Sequence, residues 1–361
     1  MGKRFSFIHC ADLHLDSPME THLTEKQASV RNTEIIQSFL RLTKYAEDNA
    51  VCSVIIAGDL FDGERVKSRT VEEILDAMAG TPNVDYLYLA GNHDATDVFA
   101  ERTLPKNLKR FGREWKSYRY GDVTISGIET CESNAESLYR SIPHPDGSIS
   151  IVTMHGQTGS ASGVDQVNLS LLKNQGIDYL ALGHIHSYSA APLDDHGIYC
   201  YSGCLEGRGF DECGPKGFVL LEIDGGHLQH RFVPFSCRTL HRIPVDISGL
   251  SKNAEIFGKM LSAAEAIPAG DMVEFLLTGA VDPTVNLAVS YLEDRMAQQD
   301  FFFSKVKDET HMAIRPEDYK NDISLKGEFI RLVLSSDADE ADKAAMIRTG
   351  IQALMGEEIT L

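Results

Sequence analysis

Along the first two-thirds of the chain, short apolar runs alternate with helix-period segments, and five of the runs end in a motif rich in Asp, Asn or His. The motifs are Asp12-Leu13-His14, Gly58-Asp59-Leu60-Phe61-Asp62, Gly91-Asn92-His93-Asp94, His155-Gly156 and Gly183-His184-Ile185-His186. Side chains spread from position 12 to position 186 can meet only if the fold returns to one place five times. Open α/β sheets do this, because the loops at the carboxyl ends of their strands share a crevice. The alternation therefore predicts an α/β domain. Strands are expected over residues 5–9, 54–57, 84–89, 123–128, 149–154 and 179–182, with helices over 24–49, 68–78 and 168–175.

Beyond position 183 strand-like runs follow without helices, over 198–202, 218–223 and 228–233. They are expected to form the second sheet of a sandwich. A boundary is expected near residue 238. The rest reads as a small α+β module: a strand over 243–247, a helix over 252–266, a strand over 272–277, and a helix carrying Val285, Val289, Leu292 and Met296. A strand over 301–306 follows. A last helix over 340–355 places Ala344, Ile347, Ile351 and Leu354 on one face, with Gly356 as its terminator. The expected domains are 1–238, 239–335 as a cap, and 336–361 as a C-terminal helical tail that packs on the cap or docks a partner.

A chain of 361 residues exceeds one ordinary core, which agrees with that division. No apolar run is long enough to span a bilayer. Only Phe5, Phe7 and Ile8 precede His9, short of the apolar core of a signal peptide. The seven cysteines are odd in number and scattered, as expected of a reducing cytoplasm rather than a disulfide framework. Cys200, Cys204 and Cys213 lack paired zinc-ligand spacing and read as small buried hydrophobes. A formal charge of −19 opposes generic binding to phosphate backbones, so any nucleic-acid chemistry must rest on bound cations or on local basic patches. One such patch mixes Lys106, Lys109, Arg110, Arg113, Lys116 and Arg119 with Phe111, Trp115, Tyr118 and Tyr120. It reads first as a solvated loop or helix face, and second as a track for a single strand.

The motifs supply two carboxylates (Asp12, Asp59), one amide oxygen (Asn92) and four imidazoles (His14, His155, His184, His186). Mixed oxygen and nitrogen ligands suit a pair of first-row divalent ions. Asp12 with His14, and His184 with His186, are two residues apart, so each pair can face one way on an extended chain. Asp59 is the candidate bridge between two ions, and the adjacent Gly58 removes side-chain bulk there. Asn92 offers its amide oxygen. His93 is then left over as an imidazole able to donate a proton, with Asp94 placed to hold its ring.

In this order the set resembles the calcineurin-like metallophosphoesterases. More narrowly it is similar to the DNA-repair exonucleases of the SbcD type and, within them, to the bacterial YhaO-like group. The narrower likeness rests on residues 7–18, residues 58–62 and the glycine-rich stretch from Tyr201 to Glu212. The resemblance implies a four-layer α-β-β-α sandwich with a small C-terminal α+β cap. It implies one ion held by Asp12, His14, Asp59 and His186, and another held by Asp59, Asn92, His155 and His184. It also implies His93 as the catalytic histidine, with Asp62 where some nucleases of the family carry a second one. The implied reaction is two-metal hydroxide attack on the phosphorus of DNA, with His93 assisting the leaving group. Manganese is the expected metal, although iron or zinc suits the same ligands. The implied partners are a DNA substrate, an SbcC-like ATPase and a second copy of the chain, with no membrane. A phosphoesterase acting on nucleotides or other small phosphate esters is the alternative. A scaffold with a decayed site is disfavoured, because no ligand is missing.

Overall fold

Strands buried on both faces mark the interior of the molecule. In the computed structural model, which describes residues 4–19, 23–63, 66–94, 97–143, 149–161, 163–282, 285–312 and 321–355, the chain divides into two compact units, Met1–Thr239 and Leu240–Leu361. In chain order the strands of the first unit are β1 (Phe5–Cys10), β2 (Ser53–Ala57), β3 (Asp85–Leu89), β4 (Leu108–Arg110), β5 (Lys116–Tyr120), β6 (Val123–Gly127) and β7 (Ile149–His155). They continue with β8 (Gln157–Gly159), β9 (Gln166–Asn168), β10 (Tyr179–Gly183), β11 (Ser189–Pro192), β12 (Ile198–Tyr201), β13 (Gly217–Asp224) and β14 (His227–Pro234). One six-stranded sheet has the order β14-β13-β1-β2-β3-β4, and the other β11-β12-β10-β7-β6-β5.

Within each sheet the motif-bearing strands are parallel: β1 with β2 and β2 with β3 in the first, β7 with β10 in the second. Their carboxyl ends therefore lie along one edge of each sheet. Neighbouring residues on β1 separate the cores, because successive side chains face opposite ways. Ile8 points to the core beneath helices α1 (Glu25–Asp48) and α2 (Ser68–Ala79), while Phe7 joins Ile55, Ile125, Ile151 and Val219 between the sheets. On the outer face of the second sheet, Val152, Leu180 and Leu182 pack under Leu138, Tyr139, Leu172 and Ile177. Helix, sheet, sheet and a thin helical cover make the expected four layers. α1 begins with a capping box: Gln27 N donates to Thr24 Oγ1 at 3.3 Å, and Thr24 N to Gln27 Oε1 at 3.1 Å. It then buries Ile35, Phe39, Leu42 and Ala46 at helical spacing.

The structure corrects several expectations. β12 does join the second sheet, but β13 and β14 do not: β13 runs antiparallel beside β1 in the first. Phe218 and Leu220 fill the helix-side core, and Val219 and Leu221 the inter-sheet core. An apolar run covered on both faces does not declare which sheet it enters. The helix expected over 168–175 shrinks to α3 (Leu169–Leu172), because Lys173 turns extended at ψ 142° and Asn174 follows left-handed at φ 59°. The basic and aromatic stretch is no helix: it contributes the edge strands β4 and β5, with Phe111, Arg113 and Trp115 in the loop between them. Lys109 pairs with Asp85 at 2.5 Å, and Lys116 donates to the Arg110 carbonyl at 3.0 Å. All seven cysteines are free thiols, with Cys200 and Cys204 buried and Cys213 half-buried.

In the second unit a parallel sheet of Leu240–Asp246, Met272–Thr278 and Phe303–Asp308 packs with helices Asn253–Ala263 and Val289–Met296 around Phe275, Ile256, Met260, Leu292 and Met296. Val285 lies ahead of its expected helix, which begins at Val289. An unforeseen helix, Leu325–Leu334, packs Ile330 and Val333 against Ile347 and Ile351 of Glu340–Met355. Leu354 is exposed; Gly356 and the side chain of Ala344 lie outside the described residues. Among the described residues, no helix is long and apolar enough to cross a membrane.

One buried charge network fastens α1 to the later chain. Arg31, fully buried, donates from Nη2 to Glu206 Oε2 at 3.1 Å and to the Gly207 carbonyl at 2.8 Å, and pairs with Glu34 through Nη1. Ser38 Oγ and Cys237 N each donate to Glu206 Oε1 at 2.5 Å, and Arg238 grips Glu34 at 2.7 Å. Removing one partner strands a buried charge, which costs about 3–5 kcal/mol. Arg31→Met is therefore expected to lower unfolding stability by about that amount in urea titration. A loss below about 1 kcal/mol would show that the network is dispensable.

Candidate metal centre

Four of the candidate ligands sit in left-handed backbone conformations: Asp12 (φ 52°), His14 (φ 46°), Asp59 (φ 53°) and His184 (φ 103°). Such conformations cost about 1–3 kcal/mol each outside glycine, and they persist where the surroundings enforce them. Here backbone bonds join the first two loops: Asp12 N to Gly58 O at 3.1 Å and His14 N to Asp59 O at 3.0 Å. Side chains join the rest. Asp12 accepts the His184 N–H at 2.8 Å, linking the two sheets, and Asp59 Oδ1 accepts the His93 N–H at 2.8 Å. Asp94, half-buried, accepts N–H donors from Gly91 (3.0 Å), Phe61 (3.0 Å) and Leu60 (3.2 Å). Asp94 thus shapes the loops. The His93 ring is held instead by Asp62, whose Oδ1 lies 2.9 Å from Nδ1. Two glycines permit the close approach. A Cβ on Gly91 would fall 2.2 Å from Asp59 Oδ1, and one on Gly58 would fall 2.0 Å from His155 Nδ1.

The seven candidate ligands converge. His14 Nε2 and His186 Nε2 face each other at 3.2 Å. His155 Nε2 lies 2.8 Å from Asn92 Oδ1, which is 3.3 Å from His184 Nδ1. Asp59 Oδ2 lies 3.4 Å from His155 Nε2 and 3.9 Å from His14 Nε2. Among the described residues, Asp12, His14 and His186 form one group with potential ligand atoms within 4.8 Å of one another, and Asp12, Asp59 and His155 form another. A third group of this kind joins His14, Asp62 and His93.

An outer layer orients these rings. The Ala57 carbonyl, 2.9 Å from His155 Nδ1, can only accept, so that nitrogen carries the proton and Nε2 faces the oxygens of Asn92 and Asp59. Glu212 Oε1 holds His186 Nδ1 at 2.6 Å, and Lys216 Nζ donates to the His186 carbonyl at 2.6 Å. Behind the site, burial pushes His9 down to about 3, and it bridges the sheets as a neutral ring between Tyr179 Oη (2.9 Å) and the Leu182 carbonyl (3.2 Å). Sequence reasoning missed Glu212 and Arg208. The one trace they leave is charge inside a glycine-rich stretch, at Glu206, Arg208 and Glu212.

The electrostatics favour a cation. Burial pushes Asp12 up to about 6, against the pull of His155 and His186. Burial disfavours a charged His155, yet Asp59, Asp12 and the Ala57 carbonyl raise it to about 9. A proton on His155 thus occupies a place that a divalent ion can take, with proton release on binding. Burial works against the Glu212 charge, but His186 and Arg208 hold its carboxyl down to about 2. A ring nitrogen aimed at two oxygens, with two more ring nitrogens facing each other nearby, fits a pair of divalent ions.

Residues 5–188 match the family model described as calcineurin-like phosphoesterase. The chain is similar to the DNA double-strand break repair protein Mre11 of Methanosarcina acetivorans, 25% identical over 340 residues that cover 88% of this chain and 52% of that protein. It is also similar to the metallophosphoesterase YhaO of Bacillus subtilis, 28% identical over 244 residues that cover 63% of this chain and 59% of that protein. Identities this close do not single out the narrower YhaO-like group. The chain spans about half the length of the curated relatives it matches. A dimetal phosphatase of Danio rerio aligns with a TM-score of 0.42 at 11% identity, over 64% of this chain and 99% of that chain.

The glycine contacts lead to a test. Gly91→Ala should push the Asp59 carboxylate aside and weaken Mn²⁺ binding by about 10-fold or more in calorimetric titration, by analogy with displaced metal-site supports. Unchanged affinity would mean that Asp59 is not held where a metal needs it.

Proposed function

The chain belongs to the calcineurin-like phosphoesterase family, and from that premise we propose that its first unit is a two-metal DNA phosphodiesterase, an exonuclease of DNA repair. What supports this most is the position of Asp59, whose Oδ2 lies 3.4 Å from His155 Nε2 and 3.9 Å from His14 Nε2. Asp12, His14, Asp59 and His186 would hold one ion, and Asp59, Asn92, His155 and His184 the other. When bound, the ions supply an acidified water and neutralise charge on the phosphoryl oxygens. Mn²⁺ is our assignment, although Fe or Zn suits the same donors.

His93 is the leaving-group acid in this reading. The Asp62 carboxylate accepts from Nδ1, so the proton given to the departing oxygen is the one Nε2 carries when the ring is protonated on both nitrogens. Nearly half of the His93 side chain is exposed, which leaves that nitrogen open to substrate. Asp94 contributes by shaping the loop that carries His93. DNA as substrate draws on the likeness to Mre11 double-strand break repair proteins, an SbcC-like ATPase and a homodimer on the resemblance to SbcD-type nucleases, and a cytoplasmic location on the scattered cysteines. Residues 239–335 are proposed as the cap and 336–361 as a partner-binding tail. The net charge of −19 favours the second reading, small phosphate esters.

Incubation with end-labelled duplex DNA and Mn²⁺, beside cyclic nucleotides and bis-phosphates, separates the two readings. We expect cleavage from DNA ends, abolished by Asp59→Ala. His93→Ala should retain its ions and lose about 10²–10⁴-fold in turnover. Intact DNA with and without the ATPase, together with rapid hydrolysis of a small ester, would replace the nuclease reading. Loss of ions in His93→Ala would contradict the role given to that residue.

A further inference from the structure

Arg208, from the glycine-rich stretch, reaches residues of two of the motifs, Asp62 and His186. Its Nη1 donates to Asp62 Oδ2 at 3.1 Å, and its Nη2 to Glu212 Oε1 at 3.2 Å. Its own backbone N–H donates to Glu212 Oε2 at 2.7 Å. Each carboxylate in turn backs a histidine. Asp62 Oδ1 holds His93 Nδ1 at 2.9 Å and lies 3.7 Å from His14 Nδ1, while Glu212 Oε1 holds His186 Nδ1 at 2.6 Å. One guanidinium thus spans the supports of the leaving-group histidine and of a metal-ligating histidine.

We infer that Arg208 is a positioning residue that couples one of the two ion positions to the His93 acid. The inference rests on the metal assignment proposed above. A planar fork with donors on two nitrogens can hold two carboxylates at fixed angles, and an ammonium cannot. The effect is one-sided. His14 and His186 belong to the ion set that Arg208 backs through Asp62 and Glu212. On the other side His155 is oriented by the Ala57 carbonyl at 2.9 Å, a backbone group that Arg208 does not touch. The two ion positions should therefore differ in their dependence on residue 208. The side chain is about one-fifth exposed and spends both terminal nitrogens on carboxylates, which favours positioning over direct phosphate contact.

Mn²⁺ titration of the full chain, followed by electron paramagnetic resonance and calorimetry, tests this apart from activity. Wild type should bind two ions. Arg208→Ala should weaken one of them about 10–100-fold and leave the other unchanged, as outer-layer substitutions do. At saturating Mn²⁺ its kcat should remain depressed while KM stays near wild type, because His93 has lost its orientation. Arg208→Lys should shift both readouts in the same direction by less. Glu212→Gln should weaken the same ion and leave the other unchanged. These two variants carry the test if the alanine variant fails to fold. Two ions at wild-type affinity in all variants would overturn the inference, and so would a raised KM with both affinities intact, the mark of a phosphate contact. Fewer than two ions in wild type would overturn the metal assignment itself.

Discussion

A carboxylate at the end of a buried strand keeps its charge only if other groups hold it, and Asp59 is held from several loops. Its backbone is left-handed, its Oδ1 takes the His93 N–H, and its Oδ2 faces imidazoles from both sheets. The remainder of the centre can be read as the conditions for that arrangement. Gly58 and Gly91 clear the space, Asp94 clamps the loops on either side, and the Ala57 carbonyl points His155 inward. Two parallel arrays of strands, ending along one edge, are what allow five loops to share the task.

The motif-bearing strands β1, β2, β3, β7 and β10 and the meeting of their loops were legible in the sequence for one physical reason. Short apolar runs buried on both faces announce central strands, and a polar motif directly after such a run has to sit at a strand end. Asp12, His14, Asp59, Asn92, His155, His184 and His186 are brought together as that logic requires. Where the pattern is two-sided or weak, the reading failed. β13 is apolar on both faces, so nothing in it declares which sheet it joins. β4 and β5 are short edges whose polar residues resemble a surface loop. Asp94 was adjacent to His93 in sequence and was given its ring, but a neighbour in the chain often points elsewhere. Asp62, thirty-one positions away, holds it.

The outer layer was invisible for a different reason. Glu206, Arg208 and Glu212 come from a glycine-rich stretch without periodicity, and their partners are at positions 31, 62 and 186. Each is nevertheless mostly buried and paired, which is what a polar group costs when it leaves water. That stretch does two jobs at once: Glu206 anchors α1 through Arg31, while Arg208 and Glu212 brace the centre. An acidic chain can work on a phosphate ester under these conditions, because the site itself is arranged to collect positive charge.

The central claim is that Asp59 lies between two ions. Crystals soaked in Mn²⁺ and measured at the manganese absorption edge test it most directly. The account predicts two anomalous peaks flanking the Asp59 carboxylate, one toward His14 and His186 and one toward Asn92, His155 and His184, with His93 bound to neither. A single peak, a peak on the His93 ring, or no peak at saturating Mn²⁺ would contradict it.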